Sequence, residues 1–291
     1  MPVWTENCQR LGRVTRTEPM AGQYRGGGKR PGRDRPFRRG PGGKRPFRTE
    51  RAPRDVAILY GWHPVLSALE NPSRRVRRLL ATENAARRLD EAGVSLKSPP
   101  EIVRPETIAG LLSPDSVHQG LYLETDPLPV PGLDEVEPGT VLILDQITDP
   151  HNFGAIVRTA SAFAVSAIVT TARHSPEATG VLAKSASGGL EHVPLVLVQN
   201  LARAMTELKE RGFLLVGLAE EGGVDLADAP LRAPLALVIG AEGKGLRQLT
   251  RETCDVLARI DLPGAIKSLN VSNATAVALQ MVTRRLAADE R

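Results

Sequence analysis

The sequence predicts an α/β protein in which a small α/β domain precedes a larger domain with a parallel sheet. Three observations support this prediction. Apolar runs typical of buried strands alternate with helical patterns from residue 56 onward. A Pro-rich linker, residues 125–139, separates two such series. Residues 1–54 are rich in Gly, Pro and Arg, which indicates a disordered basic tail.

Composition limits the classes of protein to consider. A chain of 291 residues is long enough for two domains and a tail, and with 3% aromatics its core must be mostly Leu, Val, Ile and Ala. No apolar run reaches about 18 residues, so we expect no membrane span. Two isolated cysteines, Cys8 and Cys254, favour a reduced, cytoplasmic protein without disulfides. The five histidines lack metal-ligand spacing, so we expect no metal.

The charge of the chain is concentrated in the tail. Residues 1–54 hold 15 Lys and Arg against 4 Asp and Glu, a net charge of +11. Since the whole chain carries +5, residues 55–291 carry −6. Arginines interleaved with Phe37 and Phe47 suit contact with RNA phosphates and stacking on bases. A solubilising tail and a transit peptide remain alternatives.

The alternation of strand and helix patterns over residues 56–124 predicts that the first domain is a compact α/β sandwich. Its strands are expected at 57–61, 76–81, 102–103 and 120–124, and its helices at 64–69, 83–91 and 106–112. It carries no clear catalytic constellation. Its expected role is to hold or recognise a substrate, and a purely structural role is the alternative.

The second domain, residues 140–291, alternates strands and helices. Strands are expected at 141–144, 167–170, 193–198, 213–218, 235–239 and 256–260. Helices are expected at 152–164, 177–184, 201–210 and 246–253, with a last helix from Ala274 capped by Ser272 or Asn273. An open parallel sheet places its ligand at the carboxyl ends of its strands.

The first of three unusual strand ends is the stretch LDQITDPHNFGAIVRTA, residues 144–160. Asp149 and Pro150 turn the chain, Asn152 begins a helix, and Arg158 lies in a helix otherwise small and apolar. A surface arginine is the alternative for Arg158. The inward face of this helix is expected to hold Ile156, Val157, Ala160, Phe163 and Ala164.

The second is LVIGAEGKGL, residues 237–246. A Walker loop is excluded because Gly245 follows Lys244, and a dinucleotide fingerprint is excluded because Gln248 stands where a glycine is needed. A glycine-rich turn remains, able to present backbone groups to a flat ligand, with one carboxylate, Glu242.

The third is RIDLPGAIKSLNVSNATAVAL, residues 259–279. Ser268 and Asn270 are polar residues between a strand and a helix, where they indicate either binding or a capped turn. The buried face of the helix is expected to contain Ala274, Val277, Ala278, Met281 and Val282.

Together these segments resemble the SpoU (TrmH-like) family of RNA ribose 2′-O-methyltransferases. The similarity is strongest to the subgroup that methylates a guanosine of large-subunit (23S) ribosomal RNA. It is carried by residues 152–158, 240–246 and 260–270, with the run SGGLEHVP from Ser187, and covers about residues 57–288.

The resemblance implies a SPOUT-type trefoil-knotted methyltransferase domain behind an L30e-like RNA-binding domain. It implies a homodimer with the active site at the subunit interface. It also implies that knot backbone binds S-adenosylmethionine at positions matching Gly240, Ile260 and Leu269. Asn273 departs from the family, which more often has a small apolar residue there.

The resemblance assigns Arg158 to the ribose hydroxyl, with Asn152, Glu242, Ser268 and Asn270 positioning the reactants. Holding an arginine neutral at pH 7 would cost roughly 7 kcal/mol. We therefore expect Arg158 to stabilise the developing alkoxide or to pass its proton to a phosphate. A transfer-RNA ribose methyltransferase and a non-catalytic RNA-binding or ribosome-assembly protein are the alternatives.

Overall fold

A computed structural model describes residues 56–173, 175–176 and 180–289. The predicted tail lies outside the described residues. Two lobes follow each other in the chain: the first lobe, residues 56–125, is built on a four-stranded sheet. The second lobe, residues 140–289, is built on a seven-stranded sheet.

The first lobe is a three-layer sandwich. Its strands are β1 (Ala57–Tyr60), β2 (Val76–Ala81), β3 (Glu101–Ile102) and β4 (Leu121–Thr125), in the order β1-β4-β2-β3. Its helices are α1 (Trp62–Glu70), α2 (Glu83–Glu91) and α3 (Pro105–Leu111). Alternate residues of β4 enter two cores, since Leu121 and Leu123 pack with α1 and α2 while Tyr122 packs with Ile108 of α3.

The second lobe has a parallel sheet covered on both faces. Its strands are β5 (Thr140–Asp145), β6 (Ala167–Thr171), β7 (Leu195–Val198), β8 (Leu214–Leu218), β9 (Val224–Asp225), β10 (Leu235–Gly240) and β11 (Val256–Arg259). They are ordered β7-β6-β5-β10-β8-β11-β9, and every pair is parallel. Burial on both faces explains why these strands are continuous apolar runs.

Five helices cover this sheet: α4 (Pro150–Ala162), α5 (Val181–Ala186), α6 (Leu201–Glu210), α7 (Gln248–Thr253) and α8 (Val271–Asp289). One core joins α4, α5 and α8 to the sheet and continues into the first lobe, whereas α6 packs on the opposite face. The linker is fixed to that opposite face, because Leu133 and Val136 are buried there and the Arg211 guanidinium donates to both carbonyls.

The order of the strands determines where a ligand can bind. The chain builds outward from β5 to β7 and then returns to place β10 on the other side of β5. Asp145 and Gly240 are paired at the carboxyl ends of these two central strands. The reversal of strand order therefore opens a crevice at this edge, where open α/β sheets bind ligands.

Several sequence predictions of local structure are wrong. Helix α8 begins at Val271 rather than Ala274, and Asn270 caps it instead of Ser272 or Asn273, because the Asn270 side chain accepts from the Ser272 N–H at 3.0 Å. Of the face predicted for α8, Ala278 and Val282 are buried but Val277 is exposed. Ala164 lies past the end of α4 and is exposed. Strand β9 was not predicted. Of the helix expected at 177–184, residues 177–179 lie outside the described residues, and α5 begins at Val181.

Candidate functional site

A cavity of about 400 Å³ opens at the carboxyl ends of β5 and β10. Three chain segments form it: the β5–α4 turn, the glycine-rich turn after β10, and the start of α8. Its lining residues are Gln146, Ile147, Thr148, Asp149, Asn152, Ala241, Glu242, Lys244 and Val271.

The β5–α4 turn presents Asn152 to this cavity. Asp149 caps α4 by accepting from the N–H groups of His151 and Asn152, both at 3.2 Å, and Pro150 occupies the first helical position. Gln146 adopts a positive φ of 62°, which turns the chain out of β5. The local sequence thus fixes Asn152 in the first turn of α4, facing the crevice.

The glycine-rich turn closes on itself. The Gly245 N–H donates to the Ala241 carbonyl at 2.8 Å, and Gly243 and Gly245 both have positive φ. At Gly240 a methyl group would lie 2.5 Å from the Leu246 nitrogen and closer still to the Gly245 carbonyl. The turn therefore packs directly on the end of β10 and presents its outer edge to the cavity.

A buried carboxylate, Asp145, anchors this turn and was missed by sequence reasoning. Its side chain is fully buried and accepts from the Arg247 Nε at 2.7 Å and from the Arg247 backbone N–H at 3.0 Å. The pair joins the end of β5 to the residue that follows the turn. The sequence signal that could have revealed this anchor is the charged residue at the end of the apolar strand β5, because a carboxylate that is buried there needs a partner.

Asn270 joins the third segment to the first. Its side-chain amide donates to the Asn152 Oδ1 at 3.0 Å, while its own Oδ1 accepts from the backbone N–H and the hydroxyl of Ser272. Two predicted site residues that lie 118 positions apart are thus in direct contact. Since Glu242 lines the same cavity as Asn152, the structure brings three of the five predicted catalytic residues together.

Arg158 and Ser268 are not among the residues that line the cavity. Arg158 is exposed, six residues after Asn152 on α4, which separates them by about 9 Å along the helix axis. Within the described part of the chain, no group hydrogen-bonds or ion-pairs with its guanidinium. Ser268 lies in the exposed loop 261–270.

None of the three predicted cofactor positions is among the residues that line the cavity. Gly240 is half-buried beneath the glycine-rich turn, Ile260 is half-buried at the end of β11, and Leu269 is exposed beside Asn270. The loop between the last two is held at its start by Arg259, whose hydrogen bond to Asp261 keeps the pKa of that carboxyl below its ordinary value. It is held in its middle by Lys267, which donates to the Leu262 carbonyl at 2.7 Å.

The described residues provide neither a metal site nor a membrane span. Among them no group of three or more His, Cys, Asp or Glu side chains is arranged to hold a metal ion. Of the helices that the structure describes, none is long and apolar enough to cross a membrane.

The chain is similar to known proteins over most of its length. The pattern of the SpoU rRNA Methylase family matches residues 139–280, and that of the RNA 2′-O ribose methyltransferase substrate binding domain matches residues 58–131. The 23S rRNA (guanosine-2′-O-)-methyltransferase RlmB of Pseudomonas putida is 37% identical over 78% of this chain and 96% of that protein. The RlmB of Pectobacterium atrosepticum is 39% identical over 78% of this chain and 98% of that protein.

A solved structure of a SpoU methyltransferase has a similar fold. The SpoU methyltransferase AviRb from Streptomyces viridochromogenes, in complex with the cofactor AdoMet, superposes with a TM-score of 0.67 at 26% identity. The match covers 78% of this chain and 89% of AviRb. The resemblance predicted from the three motifs is therefore confirmed, and the chain belongs to the SpoU rRNA methylase family.

Proposed function

We propose that this protein transfers a methyl group from S-adenosylmethionine to the ribose 2′-hydroxyl of a guanosine in 23S ribosomal RNA. The observation that carries the proposal is the meeting of three motifs at one cavity, where Asn270 hydrogen-bonds to Asn152 beside Glu242. The choice of substrate is supported by the RlmB relatives, which match over 96–98% of their own length. Ribosomal RNA as substrate implies that the protein works in the cytoplasm.

The cavity suits S-adenosylmethionine in shape and charge. Asp149 and Glu242 place two carboxyl groups in its wall against the single ammonium group of Lys244, and a sulfonium cation is attracted by the net negative charge. The glycine-rich turn leaves open space at Gly243, where a methyl group added to the backbone would meet no atom within 4 Å, so a flat ligand can approach the backbone. In this proposal the backbone at Gly240, Ile260 and Leu269 holds the cofactor, which supplies an activated methyl group.

The protein must orient the ribose hydroxyl and stabilise the charge that develops as its proton leaves. Arg158 has a guanidinium free of partners within the described residues, so it can bind a ribose oxygen or a neighbouring phosphate without first breaking an ion pair. Asn152 and Asn270 fix each other, while Glu242 and Ser268 complete the set that positions Arg158, the ribose and the cofactor.

A homodimer explains why one subunit leaves Arg158 apart from the cavity. In this proposal the partner's surface completes the active site at the subunit interface. Apolar side chains exposed around the site support it: Ile266 is 77% exposed, and Leu269 and Val277 are also exposed. A trefoil knot is part of the same proposal, since the chain leaves β11 through residues 260–270 and returns so that α8 packs on α4 and β10.

Methyl transfer to defined RNA tests the function. Purified protein is incubated with unmethylated 23S rRNA transcript and methyl-labelled S-adenosylmethionine, and ribose methylation is mapped by its block to alkaline cleavage. We expect one protected guanosine. Label in transfer RNA alone would indicate a transfer-RNA enzyme, and cofactor binding without any transfer would favour a non-catalytic protein.

The role of Arg158 is tested with Arg158→Lys, which keeps the charge but loses the planar fork of donors. We expect kcat to fall by about 100-fold or more, in line with the loss of one charge-stabilising donor. Arg173→Lys, an exposed arginine at the end of β6, is the control and should retain wild-type turnover. Near-normal turnover of Arg158→Lys would show that the guanidinium has no special role.

A further inference from the structure

A buried ion pair joins the two lobes. Arg74, between α1 and β2, donates from Nε to Glu191 Oε2 at 2.9 Å and from Nη2 to Glu191 Oε1 at 2.8 Å. Both side chains are only 3% exposed. Asn71 also donates to Glu191 at 2.7 Å, and Arg74 donates to the Asp126 carbonyl at 2.9 Å. The carboxylate of the second lobe is thus enclosed by donors of the first.

The backbone around Glu191 leaves no room for the lobes to slide. At Gly188 an added Cβ would lie 2.8 Å from the Cβ of Ser67 on α1. Nearby, the Gly180 N–H donates to the Ile58 carbonyl at 3.0 Å, which ties the start of α5 to β1. Contacts at backbone distance require one relative orientation of the two lobes.

The same segment touches the helix that carries Arg158. Gly189 begins a short 3-10 helix, Gly189–Glu191, and a Cβ there would lie 3.0 Å from the Val157 carbonyl and 3.2 Å from the Arg158 Cα. Residues 188–191 are therefore packed between α1 of the first lobe and the catalytic helix α4. A shift of the first lobe that moved Glu191 would also displace the backbone on which Arg158 stands.

We propose that Arg74 and Glu191 are positioning residues that fix the RNA-binding lobe relative to Arg158. This inference rests on the proposed function. Two apolar residues could bury the same surface as favourably, but they would accept many orientations, whereas a bidentate buried pair accepts one. RNA held by the first lobe would thus be delivered to Arg158 in a single register.

Two variants test the proposal. Glu191→Gln removes the charge and one of the bidentate acceptors. The double variant Arg74→Met/Glu191→Leu leaves no unpaired charge and so protects folding. Arg78→Met is the control, because its ion pair with Glu101 lies within the first lobe and is largely exposed. Spin labels at Glu106→Cys and Thr206→Cys, in a Cys8→Ser background, report the distance between the lobes.

We expect Glu191→Gln and Arg74→Met/Glu191→Leu, called the clamp variants below, to broaden the distribution of distances between the spin labels and to lower kcat on 23S rRNA at least tenfold. The Kd for S-adenosylmethionine should stay within twofold and that for RNA within threefold, because each lobe remains intact. Arg78→Met should match the wild type in all four measurements. A narrow wild-type distance in the clamp variants, kcat within twofold, or an equal loss of cofactor binding would overturn the proposal.

Failure of the proposed function has a different signature. If the wild-type protein does not methylate 23S rRNA, the substrate assignment is wrong. The distance distributions still decide whether Arg74 and Glu191 set the orientation of the lobes, since they require no RNA.

Discussion

One methyl group can test whether the glycine-rich turn binds the cofactor. In Gly240→Ala the new Cβ would lie 2.5 Å from the Leu246 nitrogen, whereas ordinary contact begins at 3.4 Å. The obstructing atoms are backbone, so no side chain can rotate away. The turn must therefore move outward by at least 0.9 Å, toward the cavity that Ala241 and Glu242 line.

A turn displaced by about 1 Å would lose its backbone hydrogen bonds to the cofactor, and about two such bonds at roughly 1–1.5 kcal/mol each amount to about 100-fold in affinity. We therefore expect the Kd of S-adenosylmethionine to rise about 100-fold, which corresponds to about 2.7 kcal/mol. Isothermal titration calorimetry gives the Kd directly, and thermal unfolding shows whether the variant is folded. Gly110→Ala, in α3 of the first lobe, is the control, because its Cβ meets no atom within 4 Å, and it should bind the cofactor as the wild type does. A folded Gly240→Ala protein with a Kd within threefold of wild type would refute this reasoning.

Three further predictions concern the anchor of the turn, the thiol and the tail. Arg247→Met leaves the buried Asp145 carboxylate with only a backbone donor, so the free energy of unfolding measured in urea should fall by about 3 kcal/mol. This value is near the low end for a broken buried pair because Arg247 is 44% exposed. Arg251→Met, which breaks an exposed pair with Glu221, should lower the free energy of unfolding by less than about 1 kcal/mol. Equal losses of stability in the Arg247 and Arg251 variants would contradict a structural role for the buried pair. Burial raises the pKa of the Cys254 thiol to about 12, so on the order of one thiol in 10⁴ is ionised at pH 8. In a Cys8→Ser protein, a disulfide reagent should thus react with Cys254 about 1,000-fold faster when urea has unfolded the protein than when it is folded. Similar rates in the two states would show that the Cys254 thiolate is accessible in the folded protein. Deleting residues 1–54 should reduce the slope of log RNA affinity against log salt, because fewer counterions are released, and an unchanged slope would show that the tail binds no phosphates.

Local signals predicted the elements whose caps are built from neighbouring residues. Strand β2 and helices α2 and α6 have the predicted boundaries. Thr82 caps α2 and Asn200 caps α6, each through a side chain that accepts an N–H three residues later. Such caps depend only on the adjacent sequence, and for these two helices the pattern was sufficient to locate both ends.

Helix α8 could not be located in this way, because three candidate caps compete. Asn270, Ser272 and Asn273 can each accept a backbone N–H. Asn270 takes the cap because Asn152, from a distant part of the chain, accepts its amide and holds it at the helix start. A tertiary contact decides the boundary. Tertiary packing also decides which face is buried, since α8 packs on α4 and β10 with Ala278 buried and Val277 exposed.

The site was predictable as three motifs but not as one cavity. Asn152, Glu242 and Asn270 are recognisable because polar residues and glycines follow apolar strands. The Asp145–Arg247 anchor spans 102 positions and emerges only when β5 and β10 pair in register. The spacing of Asn152 and Arg158 in one predicted helix already implies a separation of about 9 Å along its axis, but only the structure shows that the cavity is at the Asn152 end.

The two glycines of the run SGGLEHVP show how one short segment satisfies two neighbours. A side chain at Gly188 would strike Ser67 of the first lobe, and a side chain at Gly189 would strike the backbone of Arg158. Glu191, two residues on, forms its ion pair with Arg74 at 2.8 Å next to these close approaches. A side chain added at Gly188 would therefore press on the first lobe, and one added at Gly189 would press on α4. The two glycines and the buried ion pair act together: the glycines permit close contact between the segment and its neighbours, and the ion pair makes one orientation of that contact specific.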